Sequence, residues 1–217
     1  LRGDGMTLYR RVPLSRLPQN HYGVIYADPP WGFLTYDKRQ IVPQRASVAH
    51  YKTMTLDALK ALPVGSVAAK DCILHMWVIS SHIDQAIDLG RAWGFTFKSL
   101  GLDWVKTCKG DPEVPKMGMG HWFRQEAEIS LLFTKGKPKR VDKGVRQVIL
   151  EPAREHSRKP DEGAARVMRL TAGPYLELFS RTARPGWDVW GDEAGMFAQN
   201  ILHADDAALS AIAESLV

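Results

Sequence analysis

A chain of 217 residues, 45% hydrophobic and 24% charged, is long enough for one sizeable α/β domain with a real core. Its net charge of +5 is compatible with an anionic partner without demanding one. No run approaches the roughly 18 apolar residues of a membrane span, and Cys72 and Cys108 are too few and too far apart for a disulfide framework or a zinc site. The histidines form no H-E-x-x-H pair and the glycines no G-x-G-x-x-G loop, which disfavours a metal hydrolase and a nicotinamide enzyme. No N-terminal segment resembles a secretion signal, and a reducing cytoplasm fits best. Met6 reads as the natural start.

In chain order, Val24 to Ala27 reads as a buried strand, and Gly32 to Ala49 as a long polar loop of the kind that often binds or covers a ligand. Thr55 caps a short helix through Leu62, with Asp57 in its first turn. Cys72 to Ile79 is a nearly continuous apolar run, typical of a strand covered on both faces. Ser81 caps the next helix, on which Ile83, Ala86, Ile87 and Gly90 share one face and which ends at Gly94. Phe95 to Val105 reads as a strand and Thr107 to Trp122 as a second long loop. Ala127 to Phe133 is another apolar strand, followed by a basic run through Lys135, Lys137, Lys139, Arg140, Lys143 and Arg146. That run is either a solvated turn or a phosphate contact. Val148 to Leu150 is a short strand. Pro160, Asp161 and Glu162 begin a helix to about Leu170. Tyr175 to Phe179 and Trp187 to Trp190 are the last strands, and a helical pattern follows Asp205. Alternation of strand and helix predicts one α/β domain with a mostly parallel, doubly wound sheet, whose ligands bind at the carboxyl ends of strands.

Asp28-Pro29-Pro30-Trp31 stands at one such end. Both prolines lack a backbone N–H and hold φ near about −65°. Each residue before a proline is driven toward extended backbone, so the carbonyls of Asp28 and Pro29 point in a narrow range of directions. With the Asp28 carboxylate and the flat face of Trp31, the segment offers what an exocyclic amine on a planar base requires: two acceptors and a ring. Taken alone, the same residues serve equally as turn chemistry and core packing. Trp77, Trp93, Trp104, Trp122 and Trp190 read as core.

The chain resembles the adenine-N6 methyltransferases typified by the catalytic subunit of the eukaryotic mRNA adenosine methyltransferase, in its bacterial or phage branch. The resemblance runs from about Tyr22 to Phe197. It is carried by the order of Tyr26-Ala27-Asp28-Pro29-Pro30-Trp31, His50-Tyr51-Lys52-Thr53-Met54-Thr55, Leu74-His75-Met76-Trp77-Val78, Trp93-Gly94-Phe95, Trp104-Val105-Lys106-Thr107, Gly118-Met119-Gly120-His121-Trp122, His156-Ser157-Arg158-Lys159-Pro160-Asp161-Glu162, Glu177-Leu178-Phe179-Ser180-Arg181 and Gly186-Trp187-Asp188-Val189-Trp190-Gly191.

The resemblance implies a single Rossmann-like class I methyltransferase domain over residues 22–197, in permuted order, with the catalytic motif ahead of the cofactor motif. Residues 1–21 form an N-terminal extension and 198–217 a helical tail that docks on its own domain or on a second copy, making a homodimer. The implied cofactor is S-adenosylmethionine and the implied partner DNA, with RNA as the alternative and no membrane. Asp28, Pro29, Pro30 and Trp31 would carry catalysis. Trp31, Tyr51, Gly118, Gly120 and His121 would border the substrate, although the two glycines could merely shape a turn and His121 could pack. Asp28, Ser157, Lys159, Phe179, Arg181, Asp192 and Glu193 would bind the cofactor. Asp192 and Glu193 stand where the type member has amides. A silent nucleic-acid-binding subunit is the reading from another class, against which the intact Asp28 motif argues. Enzymes that methylate protein glutamine usually carry Asn at the position of Asp28.

Overall fold

The computed structural model describes residues 6–9, 11–32, 53–118, 120, 122–154, 158–180 and 182–192. Its strands are β1 (Leu8–Tyr9), β2 (Tyr22–Ala27), β3 (Ala68–Val78), β4 (Thr96–Cys108), β5 (Asp111–Pro115), β6 (Ala127–Lys135), β7 (Val148–Pro152), β8 (Tyr175–Leu178) and β9 (Trp187–Trp190). They form one nine-stranded sheet in the order β1-β9-β8-β2-β3-β6-β4-β5, with β7 also paired to β4. The run from β1 to β3 is parallel throughout, as is β4 with β7. β6 lies antiparallel to both β3 and β4, and β5 folds back antiparallel on β4. Leu8 and Tyr9, within the expected N-terminal extension, supply the edge strand beside β9.

Helices cover both faces, as a mostly parallel sheet requires. α1 (Leu56–Lys60), α2 (Val64–Val67) and α3 (Ile83–Ala92) lie on one face and α4 (Asp161–Leu170) on the other. Side chains of a strand point alternately to opposite faces, so β2 divides its residues between two cores. Ile25 and Ala27 pack with Leu59, Val67 and Leu89 on the first face. Val24 and Tyr26 pack with Trp77, Ala164, Val167 and Trp187 on the second. Covered on both faces, β2 and the Cys72–Val78 stretch of β3 need no polar side, which is why they read as apolar runs. Their polar groups are few: the Tyr22 hydroxyl donates to Asp188 Oδ2 at 2.6 Å, and His75 is buried.

The Thr55 cap forms as its sequence predicts, with the hydroxyl accepting the Ala58 N–H at 3.2 Å. Two expectations are corrected. Ser81 does not cap α3: a 3-10 turn over Ser80–His82 precedes the helix, and the Ser81 hydroxyl pairs with His82 Nδ1 at 2.8 Å. Thr107 to Trp122 is not one loop. β4 continues to Cys108, turns at Lys109-Gly110 and returns as β5, an exposed edge strand able to carry Pro112 and Pro115 because one of its sides needs no ladder bonds. Among the described residues, no helix is long and apolar enough to cross a membrane. The expected loop over residues 33–49 and the expected tail helix lie outside the described residues.

Candidate active site

The carboxyl ends of β9, β8, β2 and β3 line up along one edge of the sheet, and the antiparallel β6 brings its amino end to the same edge. Asp28 follows β2 there. The turn after it is tied at every step. Asp28 N–H donates to Leu178 O at 3.4 Å, Trp31 N–H to Pro29 O at 2.8 Å, and Met54 N–H to Pro30 O at 3.1 Å. The Trp31 indole N–H donates to Trp77 O at 3.1 Å, and His82 Nε2 meets Gly32 O at 3.1 Å. Trp31 is only 7% exposed. In this conformation it braces the turn from beneath and offers little open face.

A ladder of alternating charge grows from Asp28. Lys159 Nζ donates to Asp28 Oδ2 at 2.8 Å and stands 3.2 Å from Glu128 Oε2. Glu128 Oε1 accepts in turn from Lys106 Nζ. Lys159 lies over the Trp77 ring at 5.8 Å and Lys106 over Trp104 at 5.1 Å, so aromatic faces flank both ammonium groups. Burial pulls the Lys159 pKa down, but Asp28 and Glu128 outweigh it and hold the ammonium above the ordinary lysine value. Burial likewise raises Glu128, and the two lysines overcome it to leave its carboxyl below the ordinary range. Each charge is therefore kept ionised by its neighbours. Glu128 and Lys106 are absent from the sequence-based site. The available signal was an acid in an otherwise apolar strand, Ala127-Glu128-Ile129, where a charge needs a partner.

The ends of β8 and β9 form the adjoining wall. Phe179 leaves β8 with φ of 64°, uncommon for a residue with a side chain, and its N–H donates to Trp190 O at 2.7 Å. Its ring meets Trp190 edge to face at 5.5 Å. Asp192 is exposed just beyond β9. Behind this wall, Arg184 grips Glu177 with two bonds of 2.9 and 3.3 Å and reaches Asp161 Oδ1 at 2.8 Å. Asp161, at the start of α4, also receives Arg158 at 3.3 Å and Arg154. Burial raises the Asp161 carboxyl, but Arg154 and Arg184 more than offset it and hold it low. These contacts fix the segment that carries Lys159 against the end of β8.

On the other side of Asp28, a pocket of about 230 Å³ opens between Val78–Ser80, Ala127–Ile129, Lys106 and Lys116–Gly118, with Glu128 in its wall. Gly118 lines it, and its N–H donates to Gln125 O at 2.7 Å. Trp122 is no core residue: it is 95% exposed, and Phe123 beside it 90%. Trp77, Trp93 and Trp104 are buried as expected, while Trp190 is half-buried. The structure thus brings Asp28, Pro29, Pro30, Trp31, Lys159, Phe179, Asp192 and Gly118 to one sheet edge, with Gly120 in the adjoining turn. Tyr51, His121, Ser157, Arg181 and Glu193 lie outside the described residues. Among the described residues, no cluster of His, Cys, Asp or Glu is arranged to hold a metal ion.

The chain is similar to several known proteins. The profile of the MT-A70 family matches residues 22–193. The type II methyltransferase M.MunI of a Mycoplasma species is 34% identical over 82% of this chain and 80% of its own length. An N(6)-adenosine-methyltransferase MT-A70-like protein of Drosophila melanogaster is 30% identical over 79% of this chain, and the zebrafish (Danio rerio) N(6)-adenosine-methyltransferase subunit METTL3 is equally similar. The chain spans about a quarter of those two eukaryotic relatives, 27% and 28% of their lengths. With a Rossmann-like sheet and Asp28-Pro29-Pro30-Trp31 at its carboxyl edge, the chain belongs to the MT-A70 family of methyltransferases.

Proposed function

We propose that the protein transfers a methyl group from S-adenosylmethionine to the N6 amine of adenine in DNA. The observation that carries this reading is the braced turn after β2. Asp28 is held by Lys159 at 2.8 Å, and beside it the Pro29 carbonyl already takes one N–H bond and keeps a second lone pair. Asp28 and the Pro29 carbonyl accept the two N–H bonds of the amine. Those bonds draw its lone pair out of conjugation with the ring and aim it. Lys159 fixes the plane of the carboxylate, and Trp31 keeps the turn from yielding. Orientation and fixed electrostatics then lower the barrier, with no need for a covalent intermediate or a strong base. The alkylated amine is acidic and sheds its proton to water.

The residues fit the cofactor. When bound, S-adenosylmethionine supplies an electrophilic methyl on a sulfonium. Phe179, fixed on a left-handed backbone, offers a flat face to a nucleoside, and the exposed carboxylate of Asp192 can accept from ribose hydroxyls. In this reading Ser157, Arg181 and Glu193 complete the cofactor wall and Tyr51 the substrate wall, and the catalytic motif precedes the cofactor motif in a permuted order.

The choice of DNA is supported by the relative called a type II methyltransferase, which matches this chain over most of both lengths. RNA adenine is the second reading, favoured by relatives named N(6)-adenosine-methyltransferases. Methyl-labelled cofactor offered with single-stranded DNA and RNA of matched sequence separates the two. The DNA reading expects label chiefly in the DNA, and label confined to RNA would reverse it.

A further inference from the structure

Gly118 and Gln125 bridge a turn whose described residues, Gly120 and 122–124, include two aromatic side chains held in water. It is closed by the Gly118 N–H bond to Gln125 O at 2.7 Å and anchored to the end of β3 through Gln125 Nε2 and the Ser80 hydroxyl. A Cβ on Gly118 would stand 2.6 Å from Gln125 O, and one on Gly120 2.2 Å from Phe123 O, so only glycine permits so tight a closure. The turn carries Trp122 and Phe123 outward, both at least 90% exposed. Adjacent large apolar side chains so exposed are unusual in a monomer without a partner for them.

Their position identifies the partner. The turn borders the pocket lined by Lys106, Lys116, Ser80 and Gln125, and the wall of that pocket is Glu128, two contacts from Asp28. Lys106 is engaged by Glu128, which leaves the exposed Lys116 to face an anion at the mouth. The start of the basic run, Lys135 to Arg140, lies away from the site. It follows the carboxyl end of β6, at the opposite edge of the sheet from Asp28, and Lys135 itself is tied to Gly65 O and Ala68 O. Among the described residues at the site edge, the exposed aromatic pair stands beside the exposed cations Lys116 and Arg124. Base–aromatic stacking beside cationic side chains is the general mode of binding unpaired strands.

We propose that Trp122 and Phe123 stack on the unpaired nucleotide next to the target adenine, with its phosphate at Lys116. This rests on the nucleic-acid reading above and makes Trp122 and Phe123 the platform that holds the strand while the amine reaches Asp28. The test is fluorescence anisotropy of a labelled single-stranded DNA oligonucleotide containing adenine, with wild type, Trp122→Ala, Phe123→Ala and Trp122→Phe. Cofactor affinity is measured in parallel by calorimetry, and oligomeric state by sedimentation. Each alanine variant is expected to weaken oligonucleotide binding about 5- to 100-fold. Trp122→Phe should keep most of the affinity, and cofactor binding should stay unchanged. Because both side chains stand in solvent, their loss removes no core contact.

Unchanged oligonucleotide affinity in both alanine variants overturns the proposal. So does a shift from dimer to monomer without loss of nucleic-acid affinity, which would make the patch a contact between copies of the chain. Equal loss of cofactor and oligonucleotide binding also overturns it. Wild type that binds the oligonucleotide through these residues but methylates no adenine removes the assigned reaction and leaves the platform standing.

Discussion

Lys159 lies between two carboxylates, and this sets what each residue of the site can do. Asp28→Ala should reduce methyl transfer by at least about 100- to 1,000-fold, the effect of deleting one preorganised polar group at a reacting centre. The fold should survive, because Lys159 keeps Glu128 at 3.2 Å; a melting curve alongside the transfer assay checks both halves. Glu128→Gln removes the second anion of Lys159 and the partner of Lys106, and should slow transfer about 10- to 100-fold, the weight of a hydrogen bond to a charged group. The ladder also fixes its own pH window. Lys159 is raised above 10.5, so its contribution is complete below that value and is lost as pH rises through its folded pKa. Glu128 is depressed below 4.5, so its contribution is complete above that value and is lost as pH falls through its folded pKa. Glu128→Gln cannot titrate, so the acid-side fall in activity that protonation of Glu128 gives wild type below pH 4.5 should be absent from the variant, provided that the fold persists there by circular dichroism.

β2, β3 and α4 determine how firmly the site is held. His75, in the middle of β3, is buried and neither ring nitrogen has a hydrogen-bond partner among the described residues. Burial lowers its pKa from 6.5 to about 4. The folded state then takes up its proton later than the unfolded state, so stability is complete above pH 6.5 and falls by about 3 kcal/mol as pH drops toward 4. Denaturant titrations across that range should follow this slope, and His75→Phe should flatten it. On α4, a Cβ at Gly163 would sit 2.7 Å from the Tyr26 hydroxyl and 3.5 Å from Trp77, so Gly163→Ala should cost about 1–3 kcal/mol by overpacking. A gain in stability would show that the helix can move aside. These elements were legible in sequence because a doubly covered strand must be apolar and because Pro160 followed by Asp161 and Glu162 suits the positive start of a helix. β5 was not legible, since prolines in an edge strand look like prolines in a loop. Nor was the ladder: Lys159 reaches Asp28 across 131 positions of sequence, and Glu128 becomes their neighbour only because β6 runs antiparallel to β3.

Over the whole molecule, the two edges of the sheet divide the work. The carboxyl edge gathers Asp28, Lys159, Phe179, the pocket and the Gly118–Gln125 bridge, while the basic run begins at the far edge, where Lys135 is tied to backbone carbonyls. The sequence motifs located the amine-binding turn, but only the sheet order shows which other residues stand beside it. A methyl group is transferred in this account because one carboxylate and one carbonyl on that edge are held rigid. The most direct test expresses the protein in a host lacking other adenine methyltransferases and analyses the nucleosides of its DNA by mass spectrometry. The account predicts N6-methyldeoxyadenosine with wild type and none with Asp28→Ala. Equal N6-methyldeoxyadenosine from wild type and Asp28→Ala, or its absence from wild type that binds S-adenosylmethionine and DNA, would contradict it.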